Sequence, residues 1–76
     1  MKHWEKILRR AHKGDKDRIE QAIFLLEKHI FPPDTKPLTG LSQYRTRVGD
    51  WRIKFHYADE VLIVDEIRRK NESTYS

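Results

Sequence analysis

YRTRVGDWRIKFHY, Tyr44 to Tyr57, alternates basic with apolar or neutral residues on either side of Val48-Gly49-Asp50-Trp51. A period of two is the mark of a strand with one buried face. Gly49 supplies the positive φ that a two-residue type II′ turn needs at its first central position, so the stretch reads as a β-hairpin. The turn sets the register: Val48 faces Trp51, Arg47 faces Arg52, Thr46 faces Ile53, Arg45 faces Lys54 and Tyr44 faces Phe55. One face then carries Tyr44, Thr46, Val48, Trp51, Ile53, Phe55 and Tyr57, and the other Arg45, Arg47, Arg52, Lys54 and His56. The first is a core face. The second sets like charges directly opposite one another, which destabilises an antiparallel pair. Guarding a sheet edge against aggregation takes only a lone cation or a pair. A face that gathers this many is expected to receive a polyanion, each guanidinium offering a planar fork of donors to phosphate oxygens.

Outside the hairpin the period changes. Trp4, Ile7, Leu8 and Ala11 recur at helical spacing, which predicts an amphipathic helix over residues 2–12. Such a basic helix can lie on a membrane, but the stripe is narrow and a second helix follows to cover it. Gly14 is expected to close the first helix in the left-handed conformation. Asp17 and Glu20 form a capping-box pattern, and Ile19, Ala22, Ile23, Leu26 and Ile30 make the next stripe, so a second helix is expected over residues 17–30. The two should pack as an antiparallel hairpin. Phe24 and Leu25 widen the apolar arc, as core against a sheet or as a docking surface. Residues 32–42, with all three prolines and the cation Lys36, read as a connecting loop. A turn at Ala58-Asp59 leads to a third strand over residues 60–68. Its run Val61-Leu62-Ile63-Val64 suits a central strand or one covered on both faces. Either Asp65 or Glu66 should face the cations. The fold class is therefore α+β: an N-terminal helical hairpin on a small antiparallel sheet of three strands.

The chain is short. Its 76 residues are expected to form one domain, residues 1–76, because a second could not bury a core in what remained. Lys and Arg exceed Asp and Glu by 16 to 12, and the excess divides evenly between residues 1–35 and 36–76, so the sorting of charge between faces matters more than any basic tail. The absence of cysteine excludes a disulfide framework and thiolate chemistry and fits a reducing compartment. No metal site is expected, since the four histidines lack close ligand spacing. With neither a membrane-spanning run nor the apolar stretch of a secretory signal, the chain reads as cytosolic, with no membrane partner.

Two helices, the KPLTGL loop, then Y-x-x-R-V-G-D-W-R-I-x-F, an apolar strand and a basic segment ending in tyrosine give a chain that resembles the RelE/ParE superfamily of bacterial toxins over Trp4 to Tyr75. The most specific part is KPLTGLSQYRTRVGDWRIKF. The resemblance implies a toxin with a cognate antitoxin protein as partner and no small-molecule cofactor. In the RelE type it implies a ribosome-dependent mRNA endonuclease, with mRNA on the ribosome as substrate. In the ParE type it implies a gyrase inhibitor, and inactive members also exist. Carried over by position, it implies catalytic roles for Arg45, Arg47, Arg52, Arg69 and Tyr75. RNA contacts then fall to Lys36, Lys54, His56 and Arg68. Relatives of YoeB type place a glutamate just before the loop proline, where this chain has Lys36, so that carboxylate is absent. Family members usually begin with a strand before the first helix; this chain begins at the helix, which implies a sheet without its usual first strand.

The chemistry implied is attack of an RNA 2′-hydroxyl on the neighbouring phosphate, which needs a base, an acid for the leaving oxygen, and positive charge on the phosphorane. Arginine stays protonated and serves only as an electrostatic clamp. His56, Lys54 and Tyr75 remain as acid–base candidates, Tyr75 also as a stacking surface.

Overall fold

The hairpin forms in the predicted register. Strand β2 (Tyr44–Val48) pairs with β3 (Trp51–Ala58) from Tyr44↔Phe55 to Val48↔Trp51. Gly49 takes φ 60°, as the turn requires. These elements come from a computed structural model that describes residues 3–38, 40 and 42–69, with His3 described by its backbone alone.

Among the described residues the sheet has four strands where the sequence predicts three. The extra one, β1 (Thr35–Pro37), lies inside the stretch read as a loop and pairs antiparallel with β2, Lys36 opposite Arg45. Strand β4 (Val61–Arg69) pairs with β3, and the order is β1-β2-β3-β4. The apolar run of β4 is thus not central. It lies on an edge, with Val61 62% exposed and only Val64 of the run buried. The β3–β4 turn is Asp59-Glu60, one residue beyond the predicted place, with both residues at positive φ as in a type I′ turn. Between Lys54↔Glu66 and Phe55↔Val64 the register slips, leaving Asp65 as the extra residue of a β-bulge.

Helix α1 (His3–Arg10) lies over β4, and α2 (Lys13–Glu27) over β2 and β4. The two helices pack chiefly on the sheet rather than as a hairpin against each other. Leu8, Ile19, Ala22 and Leu26 meet Trp51, Ile53, Phe55, Val64 and Ile67 in one buried cluster. Thr46 is also fully buried; its hydroxyl lies 2.9 Å from that of Thr35, which donates to the Pro32 carbonyl at 2.7 Å, so the polar group enters the core with a partner.

Both ends of α2 differ from expectation. It starts at Lys13 with His12 as an N-cap that makes no side-chain capping bond; Asp17 and Glu20 fall inside the helix, and Gly14 sits in its first turn. It stops at Glu27, three residues early, because the chain turns left-handed at His29, φ 62°. Ile30 N–H donates to the Leu25 carbonyl and His29 N–H to that of Leu26, both at 2.9 Å, which is a Schellman cap. Glycine usually holds this position, and two contacts stabilise the histidine there. Its ring stacks on Tyr57 with centroids 4.4 Å apart, and Nε2 lies 3.1 Å from the Glu60 carbonyl. The early stop leaves Ile30 exposed, and Phe24 points to solvent with the Lys28 ammonium 4.4 Å from its ring. No helix among the described residues is long and apolar enough to cross a membrane.

Tyr57 ties this end together. Its hydroxyl donates to the Leu26 carbonyl at 2.6 Å. Burial, and then the neighbouring Tyr44, push its phenol above the ordinary value of 10.0. An unfolded chain therefore loses this proton at lower pH than the folded one. The contribution is complete below about pH 10 and fades as pH rises through the folded value. Tyr57→Phe is expected to cost about 1 kcal/mol at neutral pH. In urea titrations the gap between the two proteins should narrow above about pH 10; a gap that widens there would contradict the assignment.

Candidate phosphate-binding face

Cross-strand partners share a face, so the register alone builds the site. One row runs Lys36, Arg45, Lys54, Glu66 across all four strands. The next runs Arg47, Arg52, Arg68. The helices cover the opposite side of the sheet, and these rows face away from them.

A pocket of about 330 Å³ opens between the rows, lined by Leu38, Arg45, Arg52, Lys54, Glu66 and Arg68. Glu66 is its acid. One carboxylate oxygen lies 3.4 Å from the Lys54 ammonium and the other 2.7 Å from an Arg68 Nη. Arg45 and Arg52 enter no ion pair among the described residues. Each also buries an Nε hydrogen without an acceptor. An unpaired buried donor costs about 1–3 kcal/mol, a debt that an oxyanion in the pocket offsets.

The remaining expected residues are dispersed. Lys36 stands beside Arg45 at the strand edge, exposed. Arg47 ends the second row and also borders a shallow groove with Arg18 and Gln21. His56 is held by Asp65, Nδ1 to Oδ2 at 2.8 Å, while the same oxygen accepts from the Gln43 amide at 2.9 Å. Both Asp65 and Glu66 thus reach the cationic side, where the sequence led us to expect one. The bulge is the reason, since it breaks the alternation that would separate neighbours. Arg69 is not in the pocket. It pairs with Trp51 and lies on the helix side, its guanidinium carbon 5.9 Å from the Trp51 ring. Alternation carried that signal already: Arg68 and Arg69, being adjacent in a strand, cannot face the same way. Tyr75 lies outside the described residues. Leu38, a wall of the pocket, had no signal in the sequence.

No family model matches the chain, and no curated protein matches it. Among solved structures, a chain of the RelB–RelE antitoxin–toxin complex from Methanococcus jannaschii matches with a TM-score of 0.77 and 21% identity, covering 95% of this chain and 89% of that one. The chain has a RelE-like fold. At this identity the likeness is one of architecture, and the side chains on the cationic face have to be judged on their own chemistry.

Proposed function

We propose that the protein is the toxin of a toxin–antitoxin pair and cuts mRNA on the ribosome, the pocket between the two cation rows holding the scissile phosphate. The observation that carries this reading is the pair Arg45 and Arg52, guanidinium groups without an ion pair among the described residues and with buried Nε donors, beside a cavity of about 330 Å³ that has room for a phosphate and its flanking sugar. A face of like charges that destabilises the free chain is relieved when a polyanion arrives.

In this reading Arg45, Arg52 and Arg68 bind the phosphate and stabilise the phosphorane. Glu66 accepts the 2′-hydroxyl proton: with the loop position occupied by Lys36, it is the carboxylate of the pocket. The phosphate competes for Lys54 and Arg68, and that loosens the carboxylate from its cations. Lys54 gives a proton to the leaving 5′ oxygen, and the products are a 2′,3′-cyclic phosphate and a 5′-hydroxyl. Lys36 and Arg47 track flanking phosphates. The antitoxin is a protein partner that covers this face.

Primer-extension mapping of transcripts after induction tests the reading: cuts within translated regions support it. Intact mRNA with a DNA-damage response would move the target to gyrase. Glu66→Gln separates the roles within the pocket. It is expected to slow cleavage by about 10²–10⁴-fold while RNA binding holds or tightens, since a repelling charge has gone. Faster cleavage in this variant would make Glu66 a brake instead of a base.

A further inference from the structure

Arg69, for which the resemblance implied a catalytic role, stands in a different site. On the helix side a second pocket of about 200 Å³ lies between the end of α1, the start of α2 and the sheet, lined by Ile7, Arg10, Ala11, His12, Trp51 and Arg69. No acid lines it. Among the described residues, neither Arg10 nor Arg69 takes part in an ion pair. Two of its walls carry buried donors without acceptors: the indole Nε1 of Trp51, a residue only 4% exposed, and Nε of Arg69.

The backbone adds to the same imbalance. His12, on the pocket wall, is the N-cap of α2 and makes no side-chain capping bond. The first α-helical bond of α2 is Lys16 N–H to the His12 carbonyl at 2.8 Å, so the N–H groups of Lys13, Gly14 and Asp15 precede the ladder. Helix N-termini carry partial positive charge and attract anions. Asp15, the acid of this first turn, does not line the pocket. The pocket wall is therefore drawn from α1, the N-cap of α2, β3 and β4, with side-chain donors on α1, β3 and β4. A planar carboxylate satisfies donors in one plane; a tetrahedral oxyanion satisfies them in several.

We propose that this pocket is a second, separate binding site for a phosphate group, either free phosphate or the phosphate of a nucleotide. It lies on the side of the sheet opposite the Arg45–Arg52 pocket and does not depend on the ribonuclease reading. Arg10 and Arg69 supply the charge, and Trp51 and Arg69 the buried donors.

The test is a ¹H–¹⁵N titration with inorganic phosphate at constant ionic strength, following the indole N–H resonances of Trp51 and Trp4, assigned through Trp4→Phe. The Trp51 resonance should shift saturably. Arg69→Gln and Arg10→Gln should each weaken the response about tenfold or more, and Arg52→Gln should leave it intact. An adenosine 5′-monophosphate arm tells the sources apart: tighter binding than phosphate points to a nucleotide, equal binding to the free ion. Should Arg69→Gln fold poorly, Arg10→Gln carries the test, because Arg10 is exposed on the last turn of α1. In an Arg52→Gln background, which disables the pocket on the other face, phosphate should then raise the thermal midpoint, and the rise should shrink when Arg10→Gln is added. A Trp51 resonance that stays put, moves alike in Arg10→Gln, or responds equally to acetate or chloride would overturn the proposal.

Discussion

Arg52→Ala should abolish most RNA cleavage and leave the fold as stable as before, or slightly more so. Arg52 faces Arg47 on one side and Arg68 on the other, so it sits at the centre of a row of three cations. Removing it relieves repulsion between direct cross-strand neighbours, worth a few tenths of a kcal/mol to about 1 kcal/mol. In the proposed reaction it is an electrostatic clamp on the phosphorane, and losing one such group typically slows the chemical step about 10²–10³-fold. Activity and stability thus move in opposite directions. Arg45→Ala should behave alike, with Lys36 and Lys54 as its neighbours. The measurements are ribosome-dependent cleavage of a defined transcript and urea unfolding on the same preparations. A variant that cuts normally but unfolds early would mean that the guanidinium groups serve the sheet and not a substrate.

Phe55→Ala is expected to be the most damaging single change to the fold. Its side chain is fully buried, stacked on Tyr44 at 5.5 Å and meeting Phe31 and Tyr57 edge-on at 5.9 and 5.8 Å. Truncating a buried phenylalanine costs about 3–5 kcal/mol through lost transfer energy and the cavity left behind. The total stability of a domain this size is roughly 5–10 kcal/mol, so the variant should be partly unfolded at 37 °C. Phe55→Leu, which keeps most of the volume, should cost far less. Urea midpoints and the dispersion of amide resonances decide it; a loss under about 1 kcal/mol would show that the aromatic cluster is not the centre of the core.

The central hairpin was legible because two signals agreed there: the alternation and the turn glycine. Register followed from the turn, and the opposition of core and cationic faces followed from register. Elsewhere a signal was missing or misleading. Strand β1 is three residues long and ends in proline, too short to show a period. Helix α2 begins at a histidine that makes no side-chain cap and contains the glycine read as a stop, while its true end is a left-handed histidine, a far weaker marker of a helix end than glycine. The cations of the site could be named from the hairpin. Their partition between Glu66, Asp65 and no partner at all could not, because it depends on a bulge that an Asp-Glu pair does not announce.

That bulge has a further consequence. Asp65 is the surplus residue on an outer margin whose far side meets no other strand among the described residues. Excising it would leave every remaining partner in place and restore an even ladder, since Lys54 would still oppose residue 66 and Phe55 residue 64. The shortened chain would present a straight, apolar rim on which copies could zip together. The irregular residue thus breaks the regular ladder at this margin, a feature that disfavours edge-to-edge pairing.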